Sequence, residues 1–146
     1  ISCFSFTEVA RLAKPMMNEG GSLLTLTYLG AEKVMPNYNV MGVAKAALEA
    51  SVRYLAVDLG GDGVRVNALS AGPMRTLAGS AIADARYVYK KTAERSPIRR
   101  AVTLDEVGNS GFYLLSPLSS GVTGETMYVD CGFNVVGMAK PDHPAD

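Results

Sequence analysis

Hydrophobic positions along this chain alternate between two spacings. From about Thr7 to Asn18 they recur at helical steps, at Val9, Leu12, Ala13, Met16 and Met17. "EGG", Glu19 to Gly21, stops that helix. "SLLTLTYL", Ser22 to Leu29, is a short run of apolar and β-branched residues and predicts a buried strand. "GAEKVMPN" follows as a loop. From Tyr38 to Leu59 a long helix is predicted, because Met41, Ala44, Leu48, Val52, Leu55 and Leu59 return at steps of three and four. "GGDG" ends it. "VRVNALS", Val64 to Ser70, predicts a second strand, broken by "AGP". Met74 to Ser96 is helix-prone but interrupted by the small residues Ala78, Gly79, Ser80 and Ala81. Leu104 to Leu115 predicts a further helix, with Thr103 and Glu106 at the spacing of a capping box. "ETMYVDCG" predicts the last strand.

The resulting order is helix–strand–helix–strand–helix–strand. Strands separated by helices of this length imply right-handed crossovers and a parallel sheet covered on both faces, the doubly wound α/β architecture. In such sheets ligands bind outside the carboxyl ends of the strands. Tyr28 falls at the end of the first strand, and Ser70, Ala71, Gly72 and Pro73 at the end of the second. Tyr38 and Lys45 open the intervening helix. The topology alone therefore predicts that these residues converge on one crevice.

Composition narrows the function classes. A length of 146 residues fits one domain, with 48% apolar and 19% charged residues, a globular balance. Acidic and basic residues number 14 each, which gives no bulk attraction to nucleic acid or anionic membrane. No apolar run reaches membrane-spanning length. "ISCFSFTEVARLAK" lacks the layout of a signal peptide, and a cytoplasmic protein is expected. Cys3 and Cys131 stand far apart without metal-ligand spacing, and two reduced, buried thiols are expected. His143 is the single histidine and lies in the polar, Pro-rich tail, which is expected to fray. A His-based triad or a metal site is not expected on these grounds.

The stretch Thr27 to Lys45 carries the chemistry. Lys45 follows Tyr38 by seven residues. That interval turns a helix through about 700°, so both side chains share one face, about 10 Å apart along the axis. A phenol titrates near ~10, and a nearby ammonium is expected to lower that value toward a useful acid–base range. Spacing alone leaves this reading level with a plainer one, a helix-start aromatic and a solvated lysine.

The whole string is more specific. "YLGAEKVMPNYNVMGVAKAALEASVRYLA", "GVRVNALSAGPMRT", "SPIRRAVTLDEVGNSGFYLLS" and "SSGVTGETMYVDCGF" resemble the bacterial NADH-dependent enoyl-acyl-carrier-protein reductases of the short-chain dehydrogenase/reductase superfamily. The resemblance runs from about Ser5 to Met138. Most members of the superfamily carry Tyr-x3-Lys. Here Tyr28, Tyr38 and Lys45 form Tyr-x9-Tyr-x6-Lys, which separates enoyl reductases from ketone and alcohol enzymes; Thr25 is the nearest hydroxyl to the superfamily's usual Ser.

The resemblance implies that NADH reduces the trans-2 double bond of an enoyl-acyl-carrier-protein thioester in fatty acid synthesis. Tyr38 would stabilise the enolate oxygen, Lys45 would hold the nicotinamide ribose, and Tyr28 would line the substrate side. Ala71, Gly72, Pro73, Met74, Thr76, Leu77 and Ala78 would cradle the nicotinamide. Ala78 and Ile82 would contact substrate, within a mobile lid from Thr76 to about Ala93. A homo-oligomer, a tetramer in the family, is also implied. Two departures are visible: Cys131 occupies the second Gly of the family's "DGGF", and Ala85 stands where an aromatic is common in the lid.

One expected part is absent from these residues. A dinucleotide site needs a Gly-rich turn between a first strand and a first helix. "GGDG" at Gly60 to Gly63 and "GG" at Gly20 follow helices, and "SGVTG" at Ser120 to Gly124 leads into a strand. Residues 1–146 are therefore expected to form the C-terminal part of a single doubly wound, Rossmann-like domain, whose N-terminal nucleotide-binding half would lie beside the first strand. A ketone or alcohol oxidoreductase and an inactive fragment are the competing readings.

Overall fold

In the computed structural model, which describes residues 2–74 and 85–138, three strands carry the fold. β1 (Ser22–Thr27), β2 (Arg65–Ala71) and β3 (Thr126–Val129) lie side by side in that order, and both pairings are parallel. The register sets Thr27 beside Ser70, and Ser70 beside Tyr128, so the carboxyl ends of all three strands lie together. The helices are α1 (Ser2–Ala13), α2 (Asn39–Gly60), α3 (Ala85–Arg95) and α4 (Leu104–Leu115).

Strand alternation sorts β2 between two faces. Val66 and Ala68 join Val52, Ala56, Leu59 and Val64 in a buried cluster beneath α2, with Phe6 of α1 and Leu23 of β1 packed against it. Arg65 and Asn67 turn to the opposite face, where α4 lies. Arg65 Nη1 donates to the Leu114 carbonyl (2.9 Å) and to Ser119 Oγ (2.7 Å), and Nη2 donates to the Ser116 carbonyl (3.1 Å). This buried guanidinium satisfies carbonyls that the end of a helix leaves without partners, where a positive charge also suits the helix dipole. Asn67 Nδ2 donates to the Val122 carbonyl (2.9 Å), and its Oδ1 accepts from the Glu125 N–H (3.1 Å).

The start of α4 has the capping box that its sequence spacing predicts. Thr103 Oγ1 accepts from the Glu106 N–H (3.2 Å), and the Glu106 carboxylate accepts from the Thr103 N–H (2.9 Å). Arg100 pairs with the same carboxylate. Together these partners hold the Glu106 carboxyl down at about 2.

Several boundaries differ from the sequence expectation. α1 begins at Ser2 rather than Thr7 and ends at Ala13, because Pro15 lacks the N–H for another α-turn and a 3-10 turn (Lys14–Met16) follows. β1 stops at Thr27 rather than Leu29, as the chain bends into a 3-10 turn (Leu29–Ala31). β3 is only four residues long, because the Asp130 carboxylate accepts from the N–H groups of Gly132 (3.0 Å) and Asn134 (2.9 Å) and folds the chain into a turn. Cys131 is buried as expected, but Cys3 is only half-buried, 3.1 Å from the Ser51 hydroxyl; both thiols are free. Of the segment Met74 to Ser96, the described part forms α3. Thr76, Leu77, Ala78, Ile82 and His143 lie outside the described residues.

Among the described residues β1 pairs on one side only, with β2, and its Leu26 is 56% exposed. No helix among them is long and apolar enough to cross a membrane.

Candidate active site

Tyr28 leaves β1 in an extended conformation, φ −151° and ψ 150°, while Tyr38 immediately precedes α2. Their rings meet edge to face, with centroids 5.1 Å apart and planes at 72°. Such contacts favour the ring geometry by about 1 kcal/mol beyond the area they bury. Two glycines make the approach possible. A Cβ on Gly30 would stand 2.4 Å from Tyr38 Cδ1, and one on Gly42 would stand 2.8 Å from the Gly30 carbonyl oxygen. The Tyr38 ring therefore lies over bare backbone, and α2 seats its first turn against the same spot.

The backbone around Tyr38 is strained. Asn37 has φ 60° and Asn39 has φ 42°, both in the left-handed region, with Tyr38 itself at φ −85° between them. Asparagine is among the few non-glycine residues that visit this region at modest cost. Two such residues reverse the chain in a short space and deliver the phenol to the end of β1.

Lys45 lies two turns into α2, and its Nζ donates to the Leu26 carbonyl at 2.8 Å. The Gly21 carbonyl accepts from the Arg65 N–H of β2. Carbonyls of a parallel strand alternate sides, so the Leu26 carbonyl points away from β2, along the open edge of β1. Lys45 thus supplies the donor that this acceptor lacks.

Burial governs the titration of all three groups. It pushes the Tyr28 phenol up to about 12, with Tyr38 adding to the effect, and it also raises Tyr38. Burial lowers Lys45, opposed by the Glu49 carboxylate. The expected lowering of the Tyr38 phenol by Lys45 is not found. The ammonium turns to the Leu26 carbonyl, and desolvation of the phenol dominates. Both tyrosines are consequently neutral hydrogen-bond donors near neutral pH.

At the end of β2, Ala71 to Met74 continue toward the same side of the sheet. The Gly72 N–H donates to the Val129 carbonyl (2.9 Å), and a Cβ at Gly72 would stand 3.0 Å from the Asp130 backbone. The structure thus brings Tyr28, Tyr38 and Lys45 together at β1, with Ala71, Gly72, Pro73 and Met74 at the adjoining strand end. Thr25, in contrast, lies within the ladder opposite Ala68, below the strand end. Among the described residues no His, Cys, Asp or Glu cluster could hold a metal.

A model of the family described as Enoyl-(Acyl carrier protein) reductase matches residues 1–134. The chain belongs to the enoyl-(acyl carrier protein) reductase family. It is 65% identical over 144 residues to Enoyl-[acyl-carrier-protein] reductase [NADH] 1 of Rhizobium meliloti, covering 99% of this chain and 53% of that protein. It is 59% identical over 140 residues to the corresponding NADH enzyme of Rickettsia typhi, covering 96% and 54%. A crystal structure of the enoyl-(acyl-carrier-protein) reductase of Anaplasma phagocytophilum in complex with NAD superposes with a TM-score of 0.91 at 62% identity, over 97% of this chain and 54% of that one. The Bacillus cereus enzyme, solved with NADP+ and indole naphthyridinone, also gives 0.91, at 56% identity over 94% and 54%. The chain spans about half the length of the curated relatives it matches.

Three features of this site escape a reading of its sequence. Gly30 and Gly42 shape the seat of Tyr38; a Gly two residues past Tyr28 and another one helical turn past Tyr38 were the available signals. Glu49 is the third. It is buried on α2, and Thr27 Oγ1 donates to its Oε1 at 2.6 Å. Its place between Leu48 and Val52, four residues after Lys45, was the signal: an acid inside the apolar stripe.

Proposed function

We propose that this chain provides the catalytic half of an NADH-dependent enoyl-acyl-carrier-protein reductase of fatty acid synthesis, acting in the cytoplasm. The observation that carries the reading is the convergence of Tyr28, Tyr38 and Lys45 on the carboxyl end of β1. The donor set fits a dinucleotide. Lys45 has three N–H donors and uses one on the Leu26 carbonyl, which leaves two for the nicotinamide ribose hydroxyls.

NADH supplies the hydride when it is bound. The chain's own residues do the rest. Tyr38, kept neutral by burial, donates its proton in a hydrogen bond to the thioester oxygen and stabilises the charge that develops there. Tyr28 walls the substrate side and holds the Tyr38 ring in place. Lys45 fixes the ribose and adds positive charge. Ala71, Gly72, Pro73 and Met74 shape the nicotinamide seat; Thr76, Leu77 and Ala78 are assigned to that seat, and Ala78 and Ile82 to the acyl chain, by the family resemblance alone, since they lie outside the described residues.

Two partners complete the assembly. Residues carrying a Gly-rich phosphate turn pair with the open edge of β1 and cover Leu26, which makes 1–146 the C-terminal half of one Rossmann-like domain. A second copy of the protein packs on the outer helical layer. There Val40, Val43, Tyr54 and Val57 form an exposed apolar stripe on α2, beside exposed Phe4 and Leu12 of α1 and Met16 of the turn after it, a surface suited to a homotetramer.

The test uses the intact protein, NADH, and crotonyl and β-keto thioesters in parallel. Crotonyl turnover is expected, with Tyr38→Phe losing roughly 10²–10³-fold in kcat. Preferential turnover of the keto thioester, or a Tyr38→Phe enzyme as fast as the wild type, overturns the proposal.

A further inference from the structure

Beneath the tyrosine pair lies a second layer of polar groups. Thr27 and Glu49 are more than nine-tenths buried and share a 2.6 Å hydrogen bond between the last residue of β1 and the middle of α2. Leu26, the residue before Thr27, gives its carbonyl to Lys45, and Lys45 lies one helical turn before Glu49. Two bonds from one face of α2 therefore grip two consecutive residues of β1, just before the chain reaches Tyr28. Buried carboxylates are costly unless they are paired, and a structural tie could be made with neutral groups.

We propose that Glu49 is a positioning residue of the reductase site, acting through Lys45 and Thr27 to keep the lysine charged and the end of β1 in register with α2. The inference rests on the function proposed above for Lys45. The groups around Glu49 define the electrostatics. Burial is the largest influence and raises the Glu49 carboxyl; Thr27 of β1 donates to it and, with Arg53 and Lys45 of α2, favours its charged form, while Glu32 of the turn after β1 opposes it. Tyr128 of β3 also faces this layer, its buried hydroxyl beside the Glu32 carboxylate. Burial lowers Lys45, and the Glu49 charge opposes that fall. Removing the charge while keeping the acceptor for Thr27 should therefore let Lys45 lose its proton at lower pH.

The experiment compares the intact wild-type protein with Glu49→Gln and Thr27→Val, following the Lys45 side chain by NMR through a pH titration and measuring NADH-dependent crotonyl thioester turnover against pH. Glu49→Gln is expected to lower the Lys45 midpoint by about half a unit or more, roughly a threefold change in its ionisation equilibrium. The alkaline limb of turnover should move down with it, with a raised KM for NADH. Thr27→Val keeps the charge and should leave the Lys45 midpoint in place while loosening the β1 end, seen as a loss of kcat. An unchanged Lys45 midpoint in Glu49→Gln overturns the proposal and leaves a plain tie between strand and helix. A Lys45 midpoint that falls while the wild type reduces no thioester upholds the coupling and sinks the reductase reading instead. If Glu49→Gln does not fold, the Thr27→Val titration decides: a Lys45 midpoint that falls with the bond, although the carboxylate remains, also overturns it.

Discussion

The two sides of β2 are built on different terms. Toward β3 and α4, polar groups are closed off: Arg65 and Asn67 are buried and bonded to carbonyls of the segment 114–122, and α4 starts with both capping-box bonds in place. Toward β1 and the head of α2, polar groups are kept under tension. Asn37 and Asn39 hold left-handed backbone, Lys45 is half-buried, Glu49 is a buried acid, and Leu26 sits exposed on an edge that no described strand pairs. The first side secures the sheet. The second holds side chains in states that water would not grant them, which is where chemistry is placed when one fold must do both.

The sharpest way to break this contrast is to cut the anchor on the closed side. Arg65→Ala would remove the buried guanidinium's bonds to the Leu114 and Ser116 carbonyls and to Ser119 Oγ, and should cost about 3 kcal/mol in a urea unfolding experiment, with KM for the thioester unchanged in the folded protein. A smaller but more selective effect is expected at Gly30. The added methyl of Gly30→Ala would collide with the Tyr38 ring at 2.4 Å, so kcat should fall by roughly 100-fold, as a displacement of about 1 Å at a reacting group produces. The unfolding midpoint should move far less than in Arg65→Ala. If Gly30→Ala were destabilising but fully active, the division between the two sides would fail. The smallest effect belongs to Cys131. It holds φ 57°, a conformation in which glycine is unstrained, so Cys131→Gly should relieve up to about 1 kcal/mol, less whatever packing its buried thiol provides. A net stabilisation with unchanged turnover would place that strain outside the site.

Much of the scaffold was legible from local rules. The apolar steps from Leu48 to Leu59 mark the buried face of α2, and the Thr103–Glu106 spacing marks the start of α4 to the residue. These signals are short-range, and nothing in the tertiary structure overrides them. The ends of β1 and β3 were not legible, because a tight turn at Leu29 and the Asp130 carboxylate shorten them, and both act through atoms that an apolar pattern does not register. In the site, Tyr28, Tyr38 and Lys45 could be placed by periodicity and topology. Their electrostatics could not: the direction of the Tyr38 shift depends on how deeply the phenol is buried and on which acceptor Lys45 chooses. Gly30, Gly42 and Glu49 were hidden for a related reason. Each matters through what it faces across 8 to 22 residues of chain, a relation that exists only once α2 has docked on β1.

The one-sided pairing of β1 turns that strand into a gauge. Backbone amides of a parallel strand point alternately to its two neighbours, so every second amide of β1 is held by β2 and, among the described residues, the others have no strand to receive them. Deuterium taken up from solvent should then label β1 in a comb, alternate positions filling quickly, and the comb should fade when another strand lies along the edge. The spacing of isotope along six residues thus records, residue by residue, how far the sheet extends beyond the part seen here.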